Sequence, residues 1–207
     1  MVSRSIASFL FFCALAQAVI VDRIAIVAGK KIIKDSDIIN DLRLTAFLNH
    51  EPLAFTPSAR KKAATRLLEQ GFIRDELETG DYPVATVAET QDTLNGLIKS
   101  RYRTDAAYKN ALASYGISES DLKTRLLWQL TVLRFIDLRF RSPAAVSDDE
   151  IHQYYESHKE QFGSELDGSR SKIEDIVAEE HTNKAFYDWL ERQRQATTIR
   201  YLEDGLK

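Results

Sequence analysis

The sequence predicts a mostly α fold closed by a small β-sheet, on three observations. Four prolines and eight glycines in 207 residues are too few turn-formers for a sandwich of many short strands. From Thr56 to Gln195, apolar residues recur at three- and four-residue spacing behind capping residues, the pattern of amphipathic helices. The β-rich stretches, Val19–Ile33 and Thr197–Leu202, lie at opposite ends. A two-stranded hairpin is marginal in water and a single strand has no partner, so the N-terminal hairpin and the C-terminal strand are expected to share one sheet.

The first eighteen residues are set aside from the fold. Met1 to Ala18 carries one positive charge, Arg4, then an apolar stretch from Ile6 to Leu15. Ala16-Gln17-Ala18 follows, the small-x-small pattern at which secretory signal peptides are cleaved. A mature chain starting at Val19 is expected. The competing reading is an uncleaved membrane anchor, with the apolar stretch extended through Val21. It is interrupted by Gln17 and remains shorter than the roughly 20 residues that span a bilayer. The only cysteine, Cys13, lies in the leader, so the mature chain has no disulfide, thiolate ligand or thiol nucleophile and is stabilised by burial.

The elements follow in order. An apolar β-branched run through Val27 suits a strand, Ala28-Gly29-Lys30-Lys31 supplies a turn, and Ile32-Ile33 begins the return strand. Asp35 or Ser36 is expected to cap the next helix, with Asp37 favoured by the dipole in its first turn. Thr56-Pro57 opens a second helix running to about Thr79, with Gly80 to end it. Gly71 inside that helix costs about 1 kcal/mol relative to alanine. Either a neighbouring helix crosses closely there or the helix is locally weak. Tyr82-Pro83 marks a connection, Thr86 begins a helix to about Tyr102, and Thr104 caps a shorter one that ends at Gly116.

Ser118 opens the most apolar helix, with Asp121 making an acidic capping box. Leu126, Leu127, Leu130, Val132, Leu133, Phe135, Ile136 and Leu138 cover more than one of its faces, so it is expected to be the surrounded, central helix. The alternative leaves part of that surface open for another protein. Ser142-Pro143 breaks the helix. Ser147-Asp148-Asp149-Glu150 forms a further capping box, and Tyr154, Tyr155 and Phe162 carry the aromatic side of the helix that follows. Gly163–Ser171 is small and polar and reads as a loop. A last helix spans about Lys172 to Gln195, before the terminal strand.

Composition excludes some function classes. Removal of the leader takes away only Arg4, leaving 27 basic against 31 acidic residues. The two signs are mixed along most segments, without the basic stripe that nucleic-acid binding requires. The histidines His50, His152, His158 and His181 do not share one helix face. His152 and Glu156 stand four apart and supply only two ligands for a metal, and the acidic run at Asp148 is accounted for by its helix terminus. Lys61-Lys62 and Glu179-Glu180 read as solvated faces. No nucleophile elbow, phosphate loop or zincin motif occurs, so no catalytic, metal or cofactor-binding residue is assigned.

Five stretches, in order, resemble the SurA-type periplasmic chaperones. They are VDRIAIVAGKKIIKDSDI from Val21, RLLEQGFIRDEL from Arg66, the Gly116-Ile117-Ser118 break, VSDDEIHQYYESHKEQF from Val146 and FYDWLERQRQATTIRYL from Phe186. In that family a strand hairpin precedes a helix introduced by a Ser-Asp pair, here Ser36-Asp37. The resemblance covers nearly the whole mature chain. It implies a single domain over 19–207: a helical module over 19–162, a loop over 163–171, and a closing helix and strand over 172–207.

The family usually carries parvulin-type prolyl isomerase domains where this chain has that nine-residue loop. Nine residues cannot form a domain, which needs about 50 or more. The expected function is therefore a periplasmic holdase binding unfolded or nascent outer-membrane proteins through apolar surface, without catalysis, cofactor, nucleic acid or stable membrane insertion. Alternatives are a prolyl isomerase with an unrecognised site, or an assembly subunit, as a homodimer, bound to one fixed partner. Periodicity does not assign the client-contacting residues.

Overall fold

A computed structural model describes residues 22–141, 146–162 and 165–207. The leader and its cleavage site, the Ser142-Pro143 break and Gly163 lie outside the described residues. The fold is mostly α with a small three-stranded antiparallel sheet. Strands β1 (Ile24–Ala28) and β2 (Lys31–Lys34) form the hairpin. Its turn passes through Gly29 at φ 58°, a left-handed conformation that glycine adopts without a Cβ clash. Strand β3 (Ile199–Tyr201) pairs antiparallel with the other side of β1. The order β2-β1-β3 therefore puts the first strand between its sequence neighbour and the chain's last strand.

Among the described residues seven helices make the body: α1 (Asp35–Asn49), α2 (Pro57–Thr79), α3 (Val87–Arg101), α4 (Asp105–Tyr115), α5 (Glu119–Phe140), α6 (Asp148–Ser157) and α7 (Arg170–Ala196). The hydroxyls of Thr56, Thr86, Thr104, Ser118 and Ser147 each accept the backbone N–H three residues on, at 3.1 to 3.3 Å. Each satisfies a donor that the first helical turn leaves unpaired.

The start of α1 departs from expectation. Neither Asp35 nor Ser36 occupies the cap position; Lys34 does. The Asp35 N–H is already donated to the Arg23 carbonyl at 2.8 Å, which continues the hairpin into the helix. Asp22, on the far side of the hairpin, accepts the Ser36 N–H at 3.2 Å and its hydroxyl at 2.5 Å. Asp37 accepts the Lys34 N–H at 2.9 Å. Long-range donors and acceptors thus displace the local cap by one residue.

Four apolar clusters hold these elements together. Ile26, Ala28 and Ile33 of the sheet meet Ile38 and Leu42 of α1, Ala63, Ala64 and Leu68 of α2, and Leu206 near the C-terminus. Leu44 and Phe47 of α1 join Leu94, Tyr108, Leu112, Leu122 and Leu126 from α3, α4 and α5. Phe72 and Ile73 of α2, Phe135 of α5, and Phe186, Trp189 and Leu190 of α7 form the third. Here the Phe135 ring lies edge-on to Tyr82 and Trp189, at 5.0 and 5.6 Å. The fourth cluster packs Ile151, Tyr155 and Phe162 on Ile173 and Val177, so α6 rests on the first half of α7 while the second half of α7 joins the body.

Gly71 faces a side chain, not a crossing helix. A Cβ there would lie 3.3 Å from Cδ of Lys31, whose ammonium donates to the Gly71 carbonyl and pairs with Asp75 at 2.7 Å. Glycine lets β2 reach onto α2 along this lysine. The described part of the segment expected as a loop over 163–171 contains a 3-10 turn, Asp167–Ser169, and α7 begins directly after it at Arg170, inside the expected loop.

Candidate functional site

The apolar surface of α5 decides what this fold presents to solvent. The helix is not enclosed, in contrast to the expectation from its composition. Leu122, Leu126, Thr131 and Phe135 are its buried residues, one stripe facing the body, whereas Leu133 is 63% and Leu138 59% exposed. Thr131 stands among the leucines without loss because its hydroxyl is satisfied. It donates to the Leu127 carbonyl at 2.9 Å and accepts the Ala85 N–H at 3.1 Å, tying the α2–α3 connection to α5.

Two depressions flank this helix. A cleft of about 690 Å³ lies between β2, α1, α2 and α5 and is lined by both polar and apolar groups, Lys31, Asn40, Arg74 and Trp128 among them. A groove of about 540 Å³ is more apolar, with Ile73 of α2, Trp128, Leu130, Val132 and Leu133 of α5, and Phe186 of α7 on its walls. Gln70, Arg125 and Trp128 line both, so the two adjoin along the α2–α5 seam. The Arg74 guanidinium lies 4.0 Å from the centre of a Trp128 ring, a cation–π contact that holds the indole in place between them.

Beneath the seam sits a charge cluster that joins three helices. The Asp41 side chain on α1 is 1% exposed. It accepts from Nε of Arg66 on α2 at 3.0 Å, from a terminal nitrogen of Arg66 at 2.5 Å, and from Arg125 on α5. A carboxylate taken from water requires such partners, and two guanidiniums supply them. Sequence reasoning missed this residue. Its signal was an acidic residue at the spacing of Ile38 and Leu42, where the pattern calls for an apolar one.

Glu69 of α2 lies on the walls of both the apolar groove and a smaller depression of about 280 Å³ beside Tyr187 and Arg194. Burial raises its carboxyl above the usual 4.5, against the pull of Arg194 and Arg66. A raised native pKa means that the folded chain holds this proton more tightly than the unfolded chain. The resulting stabilisation is present at low pH and is lost as pH rises from 4.5 through the folded pKa. Glu69→Gln is therefore expected to be more stable than the wild type at pH 7, with the advantage shrinking as pH falls through the folded pKa toward 4.5 and gone below it. Urea midpoints measured across this range check the sign; a constant difference would contradict it.

The histidines are dispersed. His50 ends α1 in a left-handed conformation and His152 is exposed. His158 stacks on Tyr154 with centroids 4.1 Å apart, and His181 lies 3.1 Å from Glu150. Glu156, four residues from His152, pairs with Lys159 at 2.7 Å. Among the described residues no three or more His, Cys, Asp or Glu side chains converge as a metal site would require. The acidic run at Asp148 serves its helix terminus: Glu150 accepts from the Ser147 N–H at 2.9 Å, and Asp148 pairs with Arg170 of α7. Lys61, Lys62, Glu179 and Glu180 are exposed. Among the described residues no helix is long and apolar enough to cross a membrane. No protein-family model matches the chain, and no curated protein matches it.

Proposed function

We propose that this chain is a periplasmic holdase that binds unfolded polypeptide, outer-membrane proteins in particular, without catalysing a reaction. The observation that carries this reading is the apolar groove beside Leu130, Val132 and Leu133, on the helix that sequence composition had placed in the interior. Apolar contact is non-directional, so such a surface accepts many sequences, as a holdase must. Its position next to a cleft of mixed polarity suits an extended chain, whose side chains alternate in character and whose backbone needs polar partners. Binding only the unfolded state keeps clients soluble by mass action. The signal-peptide pattern of Met1 to Ala18 supports export, and the ordered resemblance to SurA-type chaperones supports the choice of client.

The test is dilution of a urea-denatured β-barrel protein into buffer with and without the purified chain, followed by light scattering. Stoichiometric wild-type protein is expected to suppress aggregation. Leu133→Asp is expected to weaken suppression several-fold while leaving the urea midpoint within about 0.5 kcal/mol, as for an exposed position. If the wild type leaves scattering unchanged, the holdase reading fails. A proline-peptide assay with the same preparation is expected to show no acceleration over the uncatalysed isomerisation; acceleration would restore the isomerase alternative.

A further inference from the structure

Strands β2 and β3 are the outer strands of the sheet, and the free side of β2 opens on the larger cleft. Lys31, Ile32 and Ile33 line that cleft in succession, whereas of β1 only Ala28 reaches it. Side chains of a strand alternate between faces, so three consecutive residues meet one cavity through the strand's edge.

The ladder identifies which backbone groups this edge offers. Gly29 donates to the Thr198 carbonyl at 3.0 Å, and Leu202 donates to the Ala25 carbonyl at 2.9 Å. The odd-numbered residues of β1 thus bond toward β3. The even-numbered ones, Ile26 and Ala28, bond toward β2, opposite Ile33 and Lys31. By the same alternation the N–H and C=O of Ile32 point away from β1, toward the free edge. The Lys34 N–H points the same way and is taken by Asp37 at 2.9 Å, in agreement with the alternation. The Ile32 side chain is 52% exposed.

We propose that an extended segment of client polypeptide adds to this edge as a fourth strand, hydrogen-bonded through the backbone of Ile32. The inference rests on the holdase reading and specifies how the larger cleft holds a client. Main-chain hydrogen bonding is sequence-tolerant, and one bonded residue pair gives the weak, reversible grip that release of a client requires. Charge selects the occupant. A second copy of this chain pairing antiparallel about Ile32 would set each Lys30 opposite the other copy's Lys34, and like charges directly opposite repel. Lys30 is exposed, and Lys34, 3.7 Å from Asp22, keeps half its side chain in solvent. The same two lysines attract a heterologous strand with acidic residues two positions either side of its central residue.

The experiment uses the full chain and a synthetic peptide of alternating valine and threonine, with aspartates at those two positions. Ile32→Pro removes the outward N–H while leaving the bonds to β1 in place, a substitution that edge strands tolerate. Ile32→Thr keeps the N–H and changes only the exposed side chain. Peptide affinity is expected to fall about tenfold in I32P and to stay within about twofold in I32T, the loss of one hydrogen bond. In the wild type, the Ile32 amide is expected to gain hydrogen-exchange protection on peptide binding. Should I32P fail to fold, that exchange measurement in the wild type decides. Unchanged exchange, equal affinity of I32P and wild type, equal losses in both variants or no peptide binding would each overturn strand addition. Suppression of barrel-protein aggregation by the wild type separates the two ideas. If it persists alongside these negative results, only strand addition falls; if it is absent, the holdase reading falls and the peptide exchange result alone judges the edge.

Discussion

Asp41→Asn is expected to destabilise the protein by about 3 kcal/mol, read as a lowered urea midpoint, because it leaves a nearly buried guanidinium without its counter-charge. The substitution conserves volume, so the loss is electrostatic and not a cavity effect. Arg66 has 35% of its side chain in solvent and can rehydrate, whereas Arg125 has 11% and cannot do so without opening the α1–α5 contact. Replacing the pair together, Asp41→Leu with Arg125→Met, is expected to recover most of the loss, since apolar side chains of similar volume carry no desolvation penalty. A loss below about 1 kcal/mol for Asp41→Asn, the range of exposed ion pairs, would show that the cluster is solvated in solution. Because Arg125 also lines both depressions, the same variant is expected to loosen the seam between them.

Deletion of residues 198–207 is expected to cost about 3 to 5 kcal/mol and to expose the N-terminal hairpin selectively. The deletion removes β3, the partner of β1, and with it the bonds from Gly29 to Thr198 and from Leu202 to Ala25. It also removes Leu206, which is 2% exposed within the sheet's own apolar cluster. Glu203 is lost as well; it accepts three bonds from Arg60 at 2.8, 2.9 and 3.3 Å while Arg60 also holds Asp35 at 2.6 Å. The starts of α1 and α2 and the chain's far end therefore meet at Arg60, which loses one of its two carboxylate partners. Hydrogen exchange at Val27 and Gly29 is the local readout and the urea midpoint the global one. An unchanged midpoint with unchanged exchange would show that the hairpin stands without its third strand.

What could be read from the sequence is what depends on neighbours along the chain. Thr56, Thr86, Thr104, Ser118 and Ser147 mark their helices because each bonds an N–H only three residues away, whatever the rest of the molecule does. The meeting of the two termini was also legible, since a lone strand has unpaired backbone groups that only the other β-rich end can satisfy. Asp35 and Ser36 look equally suited to cap α1, yet Asp22 and the Arg23 carbonyl, brought there by the hairpin, fix the helix start one residue earlier.

The candidate surface was much less legible. Leu126 and Leu133 are the same residue type on the same helix, and one is buried while the other is largely exposed. Nothing local distinguishes them; the helices that pack against α5 do. Asp41 meets its two arginines 25 and 84 residues away in sequence, and its charge is tolerable only where both arrive. Ile32 lies on an edge because β3 pairs with the opposite side of β1. By itself the sequence determined the helices, the capped starts of five of them and the closure of the chain's two ends, because caps, periodicity and unpaired strands act over short range or admit few solutions. Tertiary structure alone decided which apolar residues stay in solvent, which carboxylate is buried with its counter-ions and which strand edge remains free, because burial is a property of the neighbours that surround a side chain and not of the side chain itself.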